Sequence, residues 1–234
     1  MRNMTKRRRM LMASSSPQGR LPTGFREVQW LQGSNVQYSD TGIYPVSNVS
    51  NYTSIKGDVT ILNKTTGTFD IKTAWMEGGS LQNYGCYFHQ AQQLPSGTYI
   101  QNFAFEFGTG NAYRIDQNLS NSVYPLDIHF ELNKSQAILN GTTFSKGASH
   151  WTATKPLVIG GYYNYSDDDI NIICNNVRFK EIYVYNLNTL VYELVPCYRS
   201  HDGKTGFMKI EVESGNTEFC PNLGTSEWII GPVV

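Results

Sequence analysis

Charge is scarce in this chain. Only 16% of its 234 residues are Asp, Glu, Lys or Arg, against about 25% in an ordinary soluble domain. That scarcity argues against a charge-faced helical bundle. No stretch approaches the roughly 18 uninterrupted apolar residues of a membrane-spanning helix. No segment sustains a long helical period. No pair among Cys86, Cys174, Cys197 and Cys220 has C-x-x-C spacing, and His89, His129, His150 and His201 do not cluster near them. Both absences argue against a zinc site. What the chain has is apolar and aromatic material. Hydrophobic residues make up 40%, and the aromatics are 15 Tyr, 11 Phe and 4 Trp. That is enough for a sizeable core and excludes a disordered chain. Low charge with abundant Tyr, Thr, Asn and Gly reads as all-β.

The formal net charge is zero, but its distribution is uneven. Residues 1–20 hold Arg2, Lys6, Arg7, Arg8, Arg9 and Arg20 and no acid, and the first carboxylate is Glu27. The remainder carries 13 basic and 19 acidic residues, a formal −6. A basic arm on an acidic body points to an interaction tail. The apolar run Met10-Leu11-Met12-Ala13 is shorter than a secretory h-region of about 7–15 residues, and Ser14-Ser15-Ser16-Pro17 follows at once. Nucleic acid is disfavoured as the arm's partner, because no aromatics are interleaved among the arginines for base stacking. A protein socket fits better. There Lys6, Arg7, Arg8 and Arg9 would meet acidic groups while Met10, Leu11 and Met12 are buried. Leu21-Pro22-Thr23-Gly24 reads as the linker.

From Phe25 onward the chain shows about fifteen short apolar–polar alternations, separated by Gly, Asn, Pro and Ser. The clearest lie near residues 53–62, 98–107, 124–132, 136–139, 177–185, 191–199 and 206–212. Frequent short strands suggest a sandwich. Asn140-Gly141 predicts a type I′ hairpin turn, since both central positions need positive φ. Asp202-Gly203 and Ser214-Gly215-Asn216 predict two more. The run Phe179-Lys180-Glu181-Ile182-Tyr183-Val184-Tyr185 reads as a strand with one buried face, its odd-numbered positions inward. One main domain spans 25–234. Residues 195–234 form either an appended hairpin unit or the closing strands of the sandwich.

Three pieces of sequence resemble phage and prophage proteins of gut bacteria. The opening Leu21-Pro22-Thr23-Gly24-Phe25 through Val36-Gln37-Tyr38-Ser39-Asp40-Thr41-Gly42-Ile43 is similar to a recurrent start in such proteins, often preceded by a basic, Met-rich segment. Ala137-Ile138-Leu139-Asn140-Gly141, Leu157-Val158-Ile159-Gly160-Gly161 and Val177 through Asn186 resemble the concanavalin A-like (laminin-G-like) jelly roll. Leu194-Val195-Pro196-Cys197, Asp202-Gly203 and Asn222-Leu223-Gly224-Thr225 resemble the tail of the same phage proteins. The resemblance implies a concanavalin A-like jelly-roll sandwich, 25–234, carrying a basic anchoring arm, 1–24. It further implies a structural virion protein, a head or tail fibre or decoration. Its partners would be other virion proteins through the arm, a second or third copy of itself, and host surface glycan.

The candidate sites follow from residue chemistry. Trp151 and the run Tyr162, Tyr163, Asn164, Tyr165 combine flat aromatic faces with an amide on neighbouring loops, the elements of a sugar site. Asp167, Asp168 and Asp169 form a carboxylate run that would suit Ca²⁺, without the Gly and downstream Glu of an EF-hand. Hydrolytic members of the sandwich family use an acidic strand. Here Asp127, His129 and Glu131 share a strand face, but Asp and His stand where that motif has its nucleophile and partner. The chain is therefore expected not to be an enzyme. Cys197 and Cys220 flank the Asp202-Gly203 turn and could face each other, but are expected as reduced, buried thiols.

Overall fold

The computed structural model describes residues 19–48, 50–63, 68–73, 84–93, 99–107, 114–145, 151–163, 169–172 and 174–234. Those residues form strands and turns with no helix, so the fold is all-β. None of them forms a helix long and apolar enough to cross a membrane. In chain order the strands are β1 (Phe25–Glu27), β2 (Leu31–Ser34), β3 (Ser39–Asp40), β4 (Val46–Ser47), β5 (Thr53–Ile61), β6 (Thr68–Thr73) and β7 (Tyr84–Gln93). There follow β8 (Tyr99–Phe107), β9 (Arg114–Asn118), β10 (Leu126–Leu132), β11 (Gln136–Leu139), β12 (Thr142–Ser145), β13 (Trp151–Thr152) and β14 (Val158–Ile159). The last are β15 (Gly161–Tyr163), β16 (Ile170–Ile172), β17 (Cys174–Asn186), β18 (Thr189–Arg199), β19 (Thr205–Glu211), β20 (Thr217–Pro221) and β21 (Ile229–Ile230).

β17 organises the pairing. Along one edge it meets β5, with Val177 opposite Ile61 and Tyr183 opposite Lys56. Along the other edge it meets β2 first, Phe179 opposite Leu31, and then β18, Tyr183 opposite Glu193. β5 continues to β10 and the β11–β12 hairpin, while β18 continues to β19 and β20. The start of β17 also pairs with β6, which leads the antiparallel run β6–β7–β8–β9. Residues from 195 onward are thus hydrogen-bonded into the main sheet through β18.

The alternation within β17 is not uniform. Val177 and Phe179 are buried, and so are Ile182 and Val184, while Lys180, Glu181, Tyr183 and Tyr185 are half-exposed. The register with β5 shifts between Phe179 and Ile182. That bulge inserts an extra residue and moves the inward set from odd to even positions. The expectation of odd-numbered inward positions therefore holds only up to Phe179.

The core is aromatic. Phe103 on β8 packs on Phe130 of β10 at 6.2 Å between ring centroids, and Tyr84 on β7 donates its hydroxyl to the carbonyl of Thr53 at 2.7 Å. These contacts lay β7 and β8 over β5 and β10. Gly57 makes room, because a Cβ there would lie 2.9 Å from Phe130 Cζ. Trp228 meets Phe179 and Phe207 edge-on at 5.5 and 6.4 Å. Burying each such side chain stabilises the fold by roughly 1.5–3 kcal/mol. The C-terminal segment is stitched to the start of the domain by Leu223 N–H to Tyr38 O and Gly231 N–H to Trp30 O, both 2.9 Å. Gln37, fully buried, donates to Ser226 Oγ at 3.0 Å and accepts from Ser34 N–H at 2.8 Å.

The turns follow their chemistry. Asn140 and Gly141 have φ of 48° and 85°, the pair of positive values a type I′ turn demands. Gly203 and Gly215 also adopt positive φ at the β18–β19 and β19–β20 turns. Residues 25–31 divide into β1 and the start of β2, and of 227–230 only Ile229–Ile230 pairs.

All four cysteines are buried and unbridged. Cys197 packs with Val195 and Met208 on one face of the sheet, whereas Cys220 packs into the main core on the other. They therefore do not face each other, and a bridge would need backbone rearrangement. Burial pushes the Cys197 thiol up to about 12 and the Cys220 thiol up to about 11, from 9.0. Below pH 9 both folded and unfolded chains keep these protons. Above it the unfolded chain ionises first, so folding stability falls as pH rises from about 9 toward 12. In urea titrations, the Cys197→Ala/Cys220→Ala variant is expected to lose less stability between pH 9 and 11 than the parent. An equal loss would contradict the thiols' share.

Candidate functional site

The predicted sugar-site residues are placed in part. Trp151 opens β13, and that strand pairs with β4, Trp151 opposite Ser47 and Thr152 opposite Val46. Tyr162 and Tyr163 lie on β15, antiparallel to β16, rather than on a loop. Their register is set by pairing with Asn171 and Ile170. Asn164, Tyr165, Asp167 and Asp168 lie outside the described residues, as do the arm residues Lys6, Arg7, Arg8, Arg9, Met10, Leu11 and Met12. Asp169 is exposed just before β16. Among the described residues no group of three or more His, Cys, Asp or Glu side chains is arranged to hold a metal.

Tyr163 has the best-defined surroundings. Its hydroxyl donates to Asp40 Oδ2 at 2.7 Å, and Lys155 Nζ lies 5.1 Å from its ring centroid. Burial raises the phenol pKa well above its ordinary value, and the Asp40 carboxylate adds to the rise. Tyr44 and Tyr38 act in the same direction from nearby. Asp40 Oδ1 is held by Gly42 N–H at 2.8 Å. A tyrosine fixed at its hydroxyl presents a rigid aromatic face, which suits stacking better than acid–base chemistry. Asp40, Tyr38 and Tyr44 were not singled out from the sequence. The signal was the alternation of Tyr38, Asp40 and Tyr44 around a turn, and only the pairing of β14 with β3 brings that segment to the β15 region.

The β10 face separates as expected. Ile128 and Phe130 are buried, and Asp127 and His129 are exposed with Glu131 half-buried. The carboxylates are engaged. Asp127 accepts from Thr60 Oγ1 and, at 3.0 Å, from Lys180 Nζ, and both lower its pKa. Glu131 pairs with Lys56 Nζ at 2.6 Å. Burial alone would raise Glu131, but Lys56 and His129 outweigh it and hold the group below the usual carboxylate range. His129 Nδ1 lies 3.1 Å from Asp58 Oδ1 and its Nε2 3.3 Å from Glu131 Oε1. A glycosidase acid needs a carboxyl raised toward neutrality. Both shifts on this face run the other way.

A cluster not anticipated from the sequence surrounds Arg20, just ahead of β1. Arg20 makes a forked pair with Glu27, Nε to Oε2 at 2.8 Å and Nη2 to Oε1 at 2.6 Å. Nη2 also bonds Glu181, and Nη1 lies 3.6 Å from Glu193. The Tyr183 hydroxyl donates to Glu181. Glu181 and Tyr183 reach this spot because the bulge in β17 turns both outward, and Glu193 stands opposite Tyr183 in register. Burial works against the guanidinium charge, but Glu27 and Glu181 outweigh it and keep Arg20 firmly protonated. The charge count assigned Arg20 to the arm; its contacts assign it to the body. No local pattern could have found this, because the three carboxylates come from three strands, β1, β17 and β18.

No family model matches the chain, and neither does any curated protein or solved structure.

Removing Arg20 strands three carboxylates around one spot. Arg20→Ala is expected to destabilise the chain by about 1–2 kcal/mol, discounted because the group is a third exposed. Glu193→Gln, at 3.6 Å from the guanidinium, should cost much less. Urea midpoints for the two variants check the order, and equal costs would contradict the forked geometry.

Proposed function

We propose that this chain is a non-enzymatic structural protein of a bacteriophage virion, a head or tail fibre or decoration. Residues 25–234 are read as a concanavalin A-like jelly roll displayed outward. Residues 1–24 are read as the anchoring arm, held by another virion protein. The observation that carries the reading is the split of charge, +6 on residues 1–20 against −6 on the rest. The Arg20 clamp supports it, because it ties the segment just before the first strand to β1, β17 and β18. A load on the arm would then pass into paired strands rather than a loose end. The order of the three sequence resemblances points the same way, as does the all-β body.

Two further elements of the reading concern the surface. Self-association as a dimer or trimer would use the tyrosine-rich exterior. A glycan-binding role on the host surface is favoured by Tyr163 held rigid on Asp40 with Tyr38 and Tyr44 near it. Hydrolysis is disfavoured by the lysine-paired carboxylates of β10.

The arm is tested by deletion of residues 1–18, which removes Arg2, Lys6, Arg7, Arg8 and Arg9 and spares the Arg20 clamp. The truncated chain is expected to fold and stay soluble but to be missing from assembled particles. Particles that incorporate it at the wild-type level would sink the anchoring role.

A further inference from the structure

Two neighbouring carboxylates stand without a cation. Among the described residues Glu27, Glu131, Glu181, Glu193 and Glu218 each face a lysine or arginine. Glu211 accepts through Oε2 from Ser214 Oγ at 2.5 Å and Asn216 Nδ2 at 3.4 Å, and Glu213 is exposed. Neither forms an ion pair among the described residues. Both line one cleft of about 300 Å³, whose described lining holds no Lys, Arg or His. Lys56 and Lys209, the nearest ammonium groups along the strands, lie outside it and are taken by Glu131 and Glu218 at 2.6 Å each. The cleft therefore holds negative charge that nothing on the described body offsets.

Apolar surface adjoins the charge. Leu190, Val191 and Tyr192 on β18 are only half-buried. Tyr192 stands opposite Glu211 in register, and Val212 donates its N–H to Val191 O at 2.9 Å. Val212, between the two glutamates, is 43% exposed. The walls are held in place by backbone. Leu187 at the tip of the β17–β18 hairpin donates its N–H to Tyr52 O at 2.8 Å, tying the tip to the 43–53 segment. That segment is closed by Val46 N–H to Thr53 Oγ1 at 3.0 Å and Asn48 N–H to Asn51 O at 2.8 Å.

Carboxylates beside half-exposed apolar side chains select a cation on an apolar stem. Lys and Arg have that form, laying their methylenes on apolar surface while the head reaches an anion. The chain itself carries a matching segment. Lys6, Arg7, Arg8 and Arg9 are consecutive cations, and Met10, Leu11 and Met12 follow them. Both halves of the complementarity are thus met, charge against charge and apolar against apolar. The placement of Arg20 says which copy supplies the segment. Arg20 is held by Glu181 and Glu193 on one face of β17 and β18. Glu193 and Tyr192 are consecutive in β18, so they point to opposite faces. The chain ahead of Arg20 therefore starts from the face opposite the cleft. A second copy can present its segment to the cleft without passing around the sheet.

We infer that this cleft is the socket for the basic arm of a second copy of this chain. Cationic side chains from residues 6–9 meet Glu211 and Glu213, and Met10, Leu11 and Met12 lie against Leu190, Val191 and Val212. The inference rests on the reading of residues 1–24 as an anchoring arm, and it names the arm's acceptor. Two copies that exchange arms fill both clefts, so the contact closes on itself as a dimer.

Sedimentation velocity of the full chain tests it. The wild type is expected to associate at or below about 100 µM and to come apart as salt is raised, since the contact is ionic at an open cleft. Glu213→Lys and Arg7→Glu/Arg8→Glu should each weaken association about tenfold or more, at an unchanged melting temperature. Glu213 is exposed, so its variant leaves the core untouched. Mixed in equal amounts, the two variants should associate again, because one keeps a basic arm and the other an acidic cleft. A monomeric wild type overturns the socket, as does association that salt or both variants leave unchanged. A mixture no better than its separate components also overturns it, and leaves the arm in its own cleft or on another surface. Particle incorporation separates this inference from the anchoring role. If Glu213→Lys enters particles normally while the 1–18 deletion does not, the socket falls and the arm's role stands. If the mixture associates but the 1–18 deletion enters particles normally, the socket stands and the anchoring role falls.

Discussion

One strand is shared by nearly everything described here. β17 runs for 13 residues and has no free edge along most of its length. β5 takes one side, and β2 and then β18 take the other. Its inward residues Val177, Phe179, Ile182 and Val184 belong to the main core. Its outward residues supply Glu181 and Tyr183 to the Arg20 clamp. The bulge between Phe179 and Ile182 makes both sets compatible, because it restores core packing after two consecutive half-exposed positions. Without it Glu181 would point inward, where an unpaired carboxylate is costly.

The same strand explains how distant sequence becomes one surface. Tyr192 and Glu211 are joined to Val184 by register alone, and a slip of one residue would turn each to the opposite face. The carboxylates around Arg20 come from β1, β17 and β18, so the clamp exists only when the N-terminal strand has docked on β18. Clamp and core are thus continuous through paired strands.

Much of this was legible in the sequence, for identifiable reasons. Period-2 alternation located β5, β10 and β11 closely, because each buries most of one face. Asn140-Gly141 announced its turn, since few other pairs accept two positive φ values. The short strands β4, β13, β15 and β16 were not anticipated. Each has two or three residues, too few to show a period. β20 was also missed, its alternation being interrupted by Glu218 and Pro221. The reading of 179–185 failed at Glu181 because a bulge leaves no mark in the alternation except the charge that breaks it. Among the site residues, the sequence supplied Tyr163 but neither Asp40 as its partner nor the carboxylates around Arg20. Those depend on strand order, which composition and spacing do not encode.

Native-state hydrogen exchange across the full chain tests the central claim most directly. If β17 is the common support, amides of Val177, Phe179, Ile182 and Val184 exchange among the slowest, and those of β5 and β18 open together with them in one cooperative unit. Early exchange of β17, with β18, β19 and β20 opening as a separate unit, would contradict the account.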